Sequence, residues 1–101
     1  MAYRVLWSDS AKDRINQFYD FIAEDNPAAA RRVIQDLLDR VEALAEHPRL
    51  GRRLSEAVDP SLRKLVIGDY IVAYRVNEAR QTVWVVAVRH HRERPLPQEE
   101  S

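Results

Sequence analysis

The stretch LRKLVIGDYIVAYRV, residues 62–76, carries the pattern that decides the fold. Two runs rich in β-branched and aromatic side chains, 62–67 and 70–76, flank the dipeptide Gly68-Asp69. A two-residue connection containing glycine is typical of a β-hairpin, because glycine accepts the positive φ that such a turn requires. The sequence therefore predicts two antiparallel strands joined by a tight turn.

A third strand is predicted from Thr82 to His90, after a longer turn at 77–80. Its apolar run is typical of a central strand that is buried on both faces. Alternation predicts that adjacent histidines in this strand point in opposite directions and cannot bind one metal ion together. The two predicted faces consist of Trp84, Val86, Val88 and His90 on one side, and Val85, Ala87, Arg89 and His91 on the other.

Two amphipathic helices are predicted before these strands. Side-chain oxygens at 8–10 offer an N-cap, and an apolar stripe at helical spacing follows at 15, 18, 19 and 22. Asn26-Pro27 ends the first helix and starts the second, because asparagine favours the N-cap and proline the first helical position. The second helix has a wide apolar face, and His47-Pro48 ends it.

The predicted order is β-α-α-β-β-β, which is an α+β fold. A short N-terminal strand (residues 3–7) and the helical hairpin precede a three-stranded antiparallel meander, and all strands form one four-stranded sheet. The polar, arginine-rich segment HPRLGRRLSEAVDPS, residues 47–61, is interpreted as a connection, with Gly51 in a turn.

Length and composition predict one domain at 1–94 and a short, acidic, flexible tail at 95–101. The chain has 101 residues and no cysteine, so disulfides, thiolate metal sites and cysteine nucleophiles are excluded. No run approaches the roughly 20 apolar residues of a transmembrane helix, and the N-terminus lacks a signal-peptide pattern. A cytoplasmic location is therefore expected.

The formal net charge is zero, but the charges are unevenly distributed. Residues 1–46 carry −3, residues 47–94 carry +5, and the tail carries −2. Arginine accounts for 14 of the 16 basic residues, and its planar fork suits carboxylates and phosphates. The basic half is either a binding surface or a solvated rim.

The segment VAVRHHRERP, residues 86–95, raises the possibility of acid–base chemistry. Ribonucleolytic cleavage requires a base, a cation and an acid. His91 could be the acid, Arg63 or Arg92 could stabilise the developing charge, and the base could be Glu46 or Glu56. Alternatively, His90 closes the core and His91 is solvated.

Other sites are not predicted. Gly51 and Gly68 are the only glycines, so no glycine-rich phosphate loop is present. No metal site, cofactor or hydrolase triad is expected. Tyr70 and Tyr74 lie on one face of their strand, where they either stack a nucleic-acid base or belong to the core.

Several segments, taken in order, resemble the RelE/ParE toxin superfamily of type II toxin–antitoxin systems. The resemblance covers residues 3 to about 94. The segments that carry it are WSDSAKDRINQFYDFI, HPRLGR, LRKLVIGDYIVAYRV and VAVRHHR.

The superfamily contains ribosome-dependent nucleases, similar to RelE and YoeB, and gyrase-poisoning toxins, similar to ParE. RHHR at 89–92 resembles the end of the last strand in YoeB-like toxins, with His91 at the position of the acid. Residues 91–94 keep the final three residues of the corresponding RelE segment. Three groups of the nuclease site differ in this sequence. The position of the catalytic arginine falls near Leu65 or Val66, which are apolar. Arg52 and Arg53 stand where lysines are expected, and the position of the tyrosine falls near Gln98. The apolar strand followed by His-x-Arg, and the HPRLGR segment, resemble ParE.

The resemblance therefore implies a ParE-like toxin that inhibits DNA gyrase by binding and is neutralised by a ParD-like antitoxin in a hetero-oligomer. Direct nucleic-acid binding is expected only for the alternative, a ribosome-dependent mRNA endoribonuclease. A stability module without toxicity is a third possibility. The antitoxin is expected to cover the helical hairpin, 13–45, and the sheet. The predicted partner-binding residues are Arg63, Arg75, Arg89, His91, Arg92 and Arg94.

Overall fold

One five-stranded sheet with two helices on one face forms the protein. The computed structural model describes residues 2–55 and 59–92. Its sheet has the order β1-β5-β4-β3-β2, in which β1 is parallel to β5 and the other neighbours are antiparallel. The elements are β1 (Arg4–Trp7), α1 (Asp9–Asp25), α2 (Pro27–Glu42), a 3₁₀ turn (Ala43–Ala45), β2 (Arg52–Ser55), β3 (Asp59–Ile67), β4 (Tyr70–Asn77) and β5 (Thr82–His90).

The α+β class is confirmed, but the predicted four-stranded sheet is wrong. The additional strand is β2, which pairs antiparallel with the start of β3, and β3 itself begins at Asp59 rather than Leu62. β2 lies at the edge of the sheet, where charged side chains are common. β2 is a strand because its backbone pairs with β3. Its arginine-rich sequence has no apolar alternation, and for that reason the sequence alone predicts a connection.

The predicted hairpin between β3 and β4 is confirmed. Ile67 pairs with Tyr70, and Gly68 has a φ of 58°. A glycine with positive φ at the first central position is typical of a type II′ turn, whose twist matches that of the strands. The hairpin positions Asp69 beside the end of β5, where His91 donates its backbone N–H to the Asp69 carbonyl oxygen at 2.8 Å.

A β-bulge in β5 changes which residues share a face. Ala73 of β4 pairs with Ala87 and Tyr74 pairs with Val85, so Val86 is the extra residue. Val85 lies in the core before the bulge and Val88 after it. The prediction that Trp84, Val86, Val88 and His90 share a face is therefore wrong, because strict alternation does not continue through a bulge. Trp84 lies on the opposite face and is 40% exposed, so β5 is not buried on both faces.

Ser8 connects this bulge to the start of α1. Its backbone N–H donates to the Val85 carbonyl at 3.0 Å, and its Oγ donates to the Val86 carbonyl at 2.9 Å. The same Oγ accepts from the Ala11 N–H at 3.0 Å, which is the N-cap bond of α1. One serine therefore holds the helix start against the irregular part of the central strand.

The core lies between the helices and one face of the sheet. Tyr74, Leu37, Leu44, Val41, Val72, Val83 and Val85 are its largest fully buried side chains. Neither described helix combines the length and hydropathy that a bilayer crossing requires.

Gly51 makes a close approach at the entry to β2. Its N–H donates to the Tyr74 hydroxyl at 2.8 Å, and its carbonyl accepts from the Arg63 guanidinium at 2.7 Å. A Cβ on Gly51 would lie 2.7 Å from the Lys64 carbonyl oxygen and 2.7 Å from the Tyr74 hydroxyl. The glycine is required here for space, since only a hydrogen fits against the Lys64 carbonyl and the Tyr74 side chain.

Gly51→Ala is expected to destabilise the protein by roughly 2–4 kcal/mol, because a backbone carbonyl must move to admit the methyl group. Gly68→Ala is the matched control, since nothing lies within 4 Å of its Cβ position and only the positive φ is unfavourable. That change should cost about 1 kcal/mol. Urea unfolding of both variants provides the measurement, and equal losses would contradict the close-approach explanation.

Tyr74→Phe is expected to cost roughly 1–3 kcal/mol at neutral pH, because the buried Gly51 N–H loses its acceptor. Burial raises the pKa of Tyr74, so its neutral form favours the folded state. The contribution is complete below the unfolded pKa, about 10, and is lost as the pH rises above it. Unfolding free energies measured across this range should fall less steeply with pH for the variant than for the wild type. Parallel curves would contradict this assignment.

Candidate functional site

The histidines lie where β5 meets the β3–β4 hairpin. His91 is exposed, and its Nδ1 lies 3.2 Å from the Asp69 carbonyl oxygen and 3.7 Å from the Asp69 carboxylate. The Nδ1 of His90 accepts from the Arg92 N–H at 3.2 Å, so the chain turns immediately after the strand. These contacts fix the backbone at the end of the sheet.

The two imidazole rings lie side by side, with centroids 4.7 Å apart and an interplanar angle of 31°. The prediction that they point in opposite directions is wrong, because β5 ends at His90 and His91 belongs to a turn, where alternation no longer applies. His90 also meets the Tyr70 ring edge-on at 5.3 Å. No group of three metal-ligating side chains is found in the described part of the chain.

An apolar cleft separates the helical hairpin from this end of the sheet. The ring of Tyr70 packs at 4.9 Å from that of Phe18, and the Arg14 guanidinium lies 4.5 Å above the Phe18 ring. The cleft measures about 770 Å³, and Phe21 on its wall is 75% exposed. Its lining residues are Arg14, Gln17, Phe18, Phe21, Ile22, Val33, Asp69, Tyr70, His90 and Arg92.

The electrostatics of this cleft favour binding over proton transfer. Burial, and to a smaller extent the Asp69 carboxylate, raise the pKa of Tyr70, so its phenol remains neutral at physiological pH. Arg14 and Arg92 bring two positive charges to the lining, and Asp69 is the one carboxylate among the described lining residues. An apolar floor with a mostly basic rim suits an apolar segment that carries acidic residues.

The structure does not bring the candidate nuclease groups together. Arg63 pairs with Tyr74 of β4, whereas His90 pairs with Tyr70 of the same strand. Arg63 and His90 are therefore four residues apart along β4, which is about 13 Å. Glu46 follows Ala45, whose carbonyl accepts from the N–H of residue 3 near the start of β1. That end of the sheet lies about 25 Å along β5 from His90. Only His91 and Arg92 remain close together, and Glu56 lies outside the described residues.

The predicted partner-binding arginines have different environments. The Arg63 guanidinium donates to the carbonyls of residues 49 and 51, and therefore ties the loop before β2 to β3. Arg75 pairs with Asp59 at 2.8 Å, and hydrogen bonds from Ser61 and from Arg75 lower the pKa of Asp59. Arg75 and Arg89 lie on the sheet face that points away from the helices. Arg94 lies outside the described residues.

A second cleft, of about 330 Å³, contains arginines that the linear sequence does not place together. Arg53 lies opposite Arg63 in the β2–β3 pair, and Arg49 forms an ion pair with Glu78 beside them. Three guanidinium groups around one small cleft could bind an anion. Sequence analysis missed this cluster because it did not predict β2.

Sequence analysis also missed the apolar cleft. Phe21 lies three residues after Phe18 but outside the predicted apolar stripe at 15, 18, 19 and 22, and it is 75% exposed. Val33 belongs to the apolar side of the second helix and is 36% exposed. The available signal was Phe21 itself, a large apolar residue next to the predicted stripe of the first helix. Tyr74 is fully buried and Tyr70 nearly so, so both tyrosines belong to the core side of the sheet.

Comparisons with known proteins show which proteins the chain is similar to. A family model described as the ParE toxin of the type II toxin–antitoxin system parDE matches residues 5–95. Y4kP of Sinorhizobium fredii is 35% identical over 91 residues, which cover 86% of each chain. The toxin RelE2 of Caulobacter vibrioides is 33% identical over 88 residues, which cover 86% of this chain and 93% of the relative.

A solved structure has the same fold. A chain of the chromosomal ParDE toxin–antitoxin system from P. aeruginosa superposes with a TM-score of 0.72 and 19% identity, and the match covers 88% of this chain and 96% of that chain. At this identity the likeness shows the fold alone.

Proposed function

Because the chain belongs to the ParE toxin family of type II toxin–antitoxin systems, within the RelE/ParE superfamily, we propose that it inhibits DNA gyrase by binding and that a cognate, ParD-like antitoxin neutralises it. The proposed mechanism is occupancy of a protein target rather than cleavage of a substrate. The toxin acts by its surface, and growth arrest follows from the blocked partner.

The observation that carries this proposal is the separation of the candidate nuclease groups. Arg63 and Glu46 lie far from His91, and the Arg63 guanidinium already binds two backbone carbonyls. Cleavage of a phosphodiester depends on a base, an acid and a charge-stabilising group placed around one reacting centre. The match to the ParE model over 5–95 supports the same conclusion.

The alternative is a ribosome-dependent mRNA endoribonuclease. The arginine cleft of residues 49, 53 and 63 favours it, because guanidinium groups suit phosphates. One relative is named the toxin RelE2. Among the described residues that line this cleft, the only carboxylate is that of Glu78, which pairs with Arg49. The cleft is therefore better suited to holding an anion than to proton transfer.

The apolar cleft is the proposed seat of the antitoxin. Phe21 is exposed on its wall, and Phe18 and Tyr70 form its floor. An amphipathic helix could place apolar residues here and acidic residues against Arg14 and Arg92. This location is part of the helical hairpin and sheet that the antitoxin is expected to cover.

Phe21→Asp is expected to weaken binding of the cognate antitoxin about tenfold or more, because it places a carboxylate on the apolar wall of the cleft. Titration calorimetry with the purified antitoxin provides the affinity. Leu50→Asp is the matched control, since Leu50 is 59% exposed and is not part of this cleft. If both variants bind like the wild type, the antitoxin does not occupy the cleft.

The target can be identified by two parallel assays with toxin freed from its antitoxin. We expect inhibition of gyrase supercoiling with trapped, cleaved DNA, and intact message on translating ribosomes. Glu46→Gln should leave gyrase inhibition unchanged, because Glu46 lies at the other end of the sheet from His91 and is not among the predicted partner-binding residues. Message cleavage that His91→Ala abolishes would establish the nuclease and reject the gyrase proposal.

A further inference from the structure

The zero net charge conceals two layers of opposite sign. α1 and α2 carry eight acidic and five basic residues, whereas the five strands carry seven basic residues and one acidic residue, Asp59. The helices cover one face of the sheet, so the other face points away from the acidic layer. We call this other face the outer face. An anionic polymer is therefore expected to favour the outer face over the helical layer.

The outer face combines basic and apolar side chains in adjacent rows. Cross-strand pairing places Trp84 between Leu6 of β1 and Arg75 of β4. Trp84 is 40% exposed, Leu6 is 36% exposed, and Val66 on the same face is 58% exposed. These residues make a shallow surface with an accessible aromatic ring.

Like charges lie directly opposite each other at the β2 edge. Arg52 pairs with Lys64 on the outer face, and the next pair, Arg53 with Arg63, lies on the other face. Like charges directly opposite each other on neighbouring strands destabilise a sheet. A bound anion would remove the repulsion between Arg52 and Lys64, so this arrangement favours an anionic partner.

We propose that the outer face binds single-stranded nucleic acid, with phosphates against Arg4, Arg52 and Lys64 and a base stacked on Trp84. Phosphate contacts provide attraction without sequence preference, and an exposed aromatic ring on an open sheet accepts an unstacked base. An acidic peptide could satisfy the cations, but it would not use the tryptophan ring as a stacking surface. Because Arg75 is paired with Asp59, it is not among the residues on which the proposal depends.

The proposal goes beyond the function proposed above and holds whichever target the toxin has. Its test therefore uses purified toxin without gyrase, ribosomes or antitoxin. Fluorescence anisotropy follows binding of a labelled single-stranded oligodeoxynucleotide of about 12 nucleotides, within the usual site size of such surfaces. The double-stranded form and a glutamate-rich peptide serve as competitors.

The variant Arg52→Ala/Lys64→Ala is expected to weaken binding about tenfold and to reduce the slope of log affinity against log salt by about 1.4, which corresponds to two phosphate contacts. Trp84→Ala should weaken binding of the single strand more than that of the duplex. Arg31→Ala/Arg32→Ala is the matched control, because it removes two exposed arginines from the helical layer. Its affinity should equal that of the wild type.

Urea unfolding of each variant establishes that it is folded under the binding conditions. If Trp84→Ala does not fold, a second measurement on the wild type replaces it. The bound oligonucleotide should protect Trp84 from oxidation, which mass spectrometry detects. Equal losses for the sheet and helix variants would overturn the proposal. Unchanged binding by the sheet variants would also overturn it. If the glutamate-rich peptide competes as strongly as the single strand, the proposal is overturned and the partner is an acidic protein segment.

Discussion

The anchoring of β5 by Ser8 is the interaction on which the rest of the structure depends. β5 lies between β1 and β4, and α1 packs against it, so its face assignment determines the core. Ser8 caps α1 and donates to the carbonyls of Val85 and Val86 at the bulge. Because the bulge adds one residue, Val88 and His90 lie on the helix side of the sheet. Without the bulge, Val88 and His90 would lie on the same face as Trp84, away from the helices.

This displacement has consequences at the end of the strand. His90 lies edge-on to Tyr70, and Tyr70 packs against Phe18 of α1, so the apolar cleft has an aromatic floor. His91 lies in the turn beyond the strand and contacts Asp69 instead of forming part of the sheet. The histidine pair therefore closes one end of the fold, at a distance from the groups that would complete a nuclease site.

Two surfaces with different chemistry follow from the layered arrangement. The cleft between the helices and the sheet is apolar with a basic rim, whereas the outer face of the sheet is open, basic and partly aromatic. They lie on opposite sides of the sheet, so two partners could bind them without direct competition.

The sequence by itself determined the elements whose signals are local. Gly68-Asp69 specified the hairpin, Asn26-Pro27 specified the junction between the helices, and the segments from HPRLGR to VAVRHHR indicated the family. Only the tertiary structure decided that Arg52–Ser55 is a strand and that the alternation of β5 breaks at Val86. β2 is a strand because its backbone pairs with β3, and at the bulge Ser8 binds the carbonyls of two residues that lie 77 and 78 positions further along the chain. Such contacts leave no periodic pattern in either segment. The same reason applies to the sites: the arginine cleft depends on the pairing of β2 with β3, and the outer face brings together side chains of β1 and β5, which are distant in sequence.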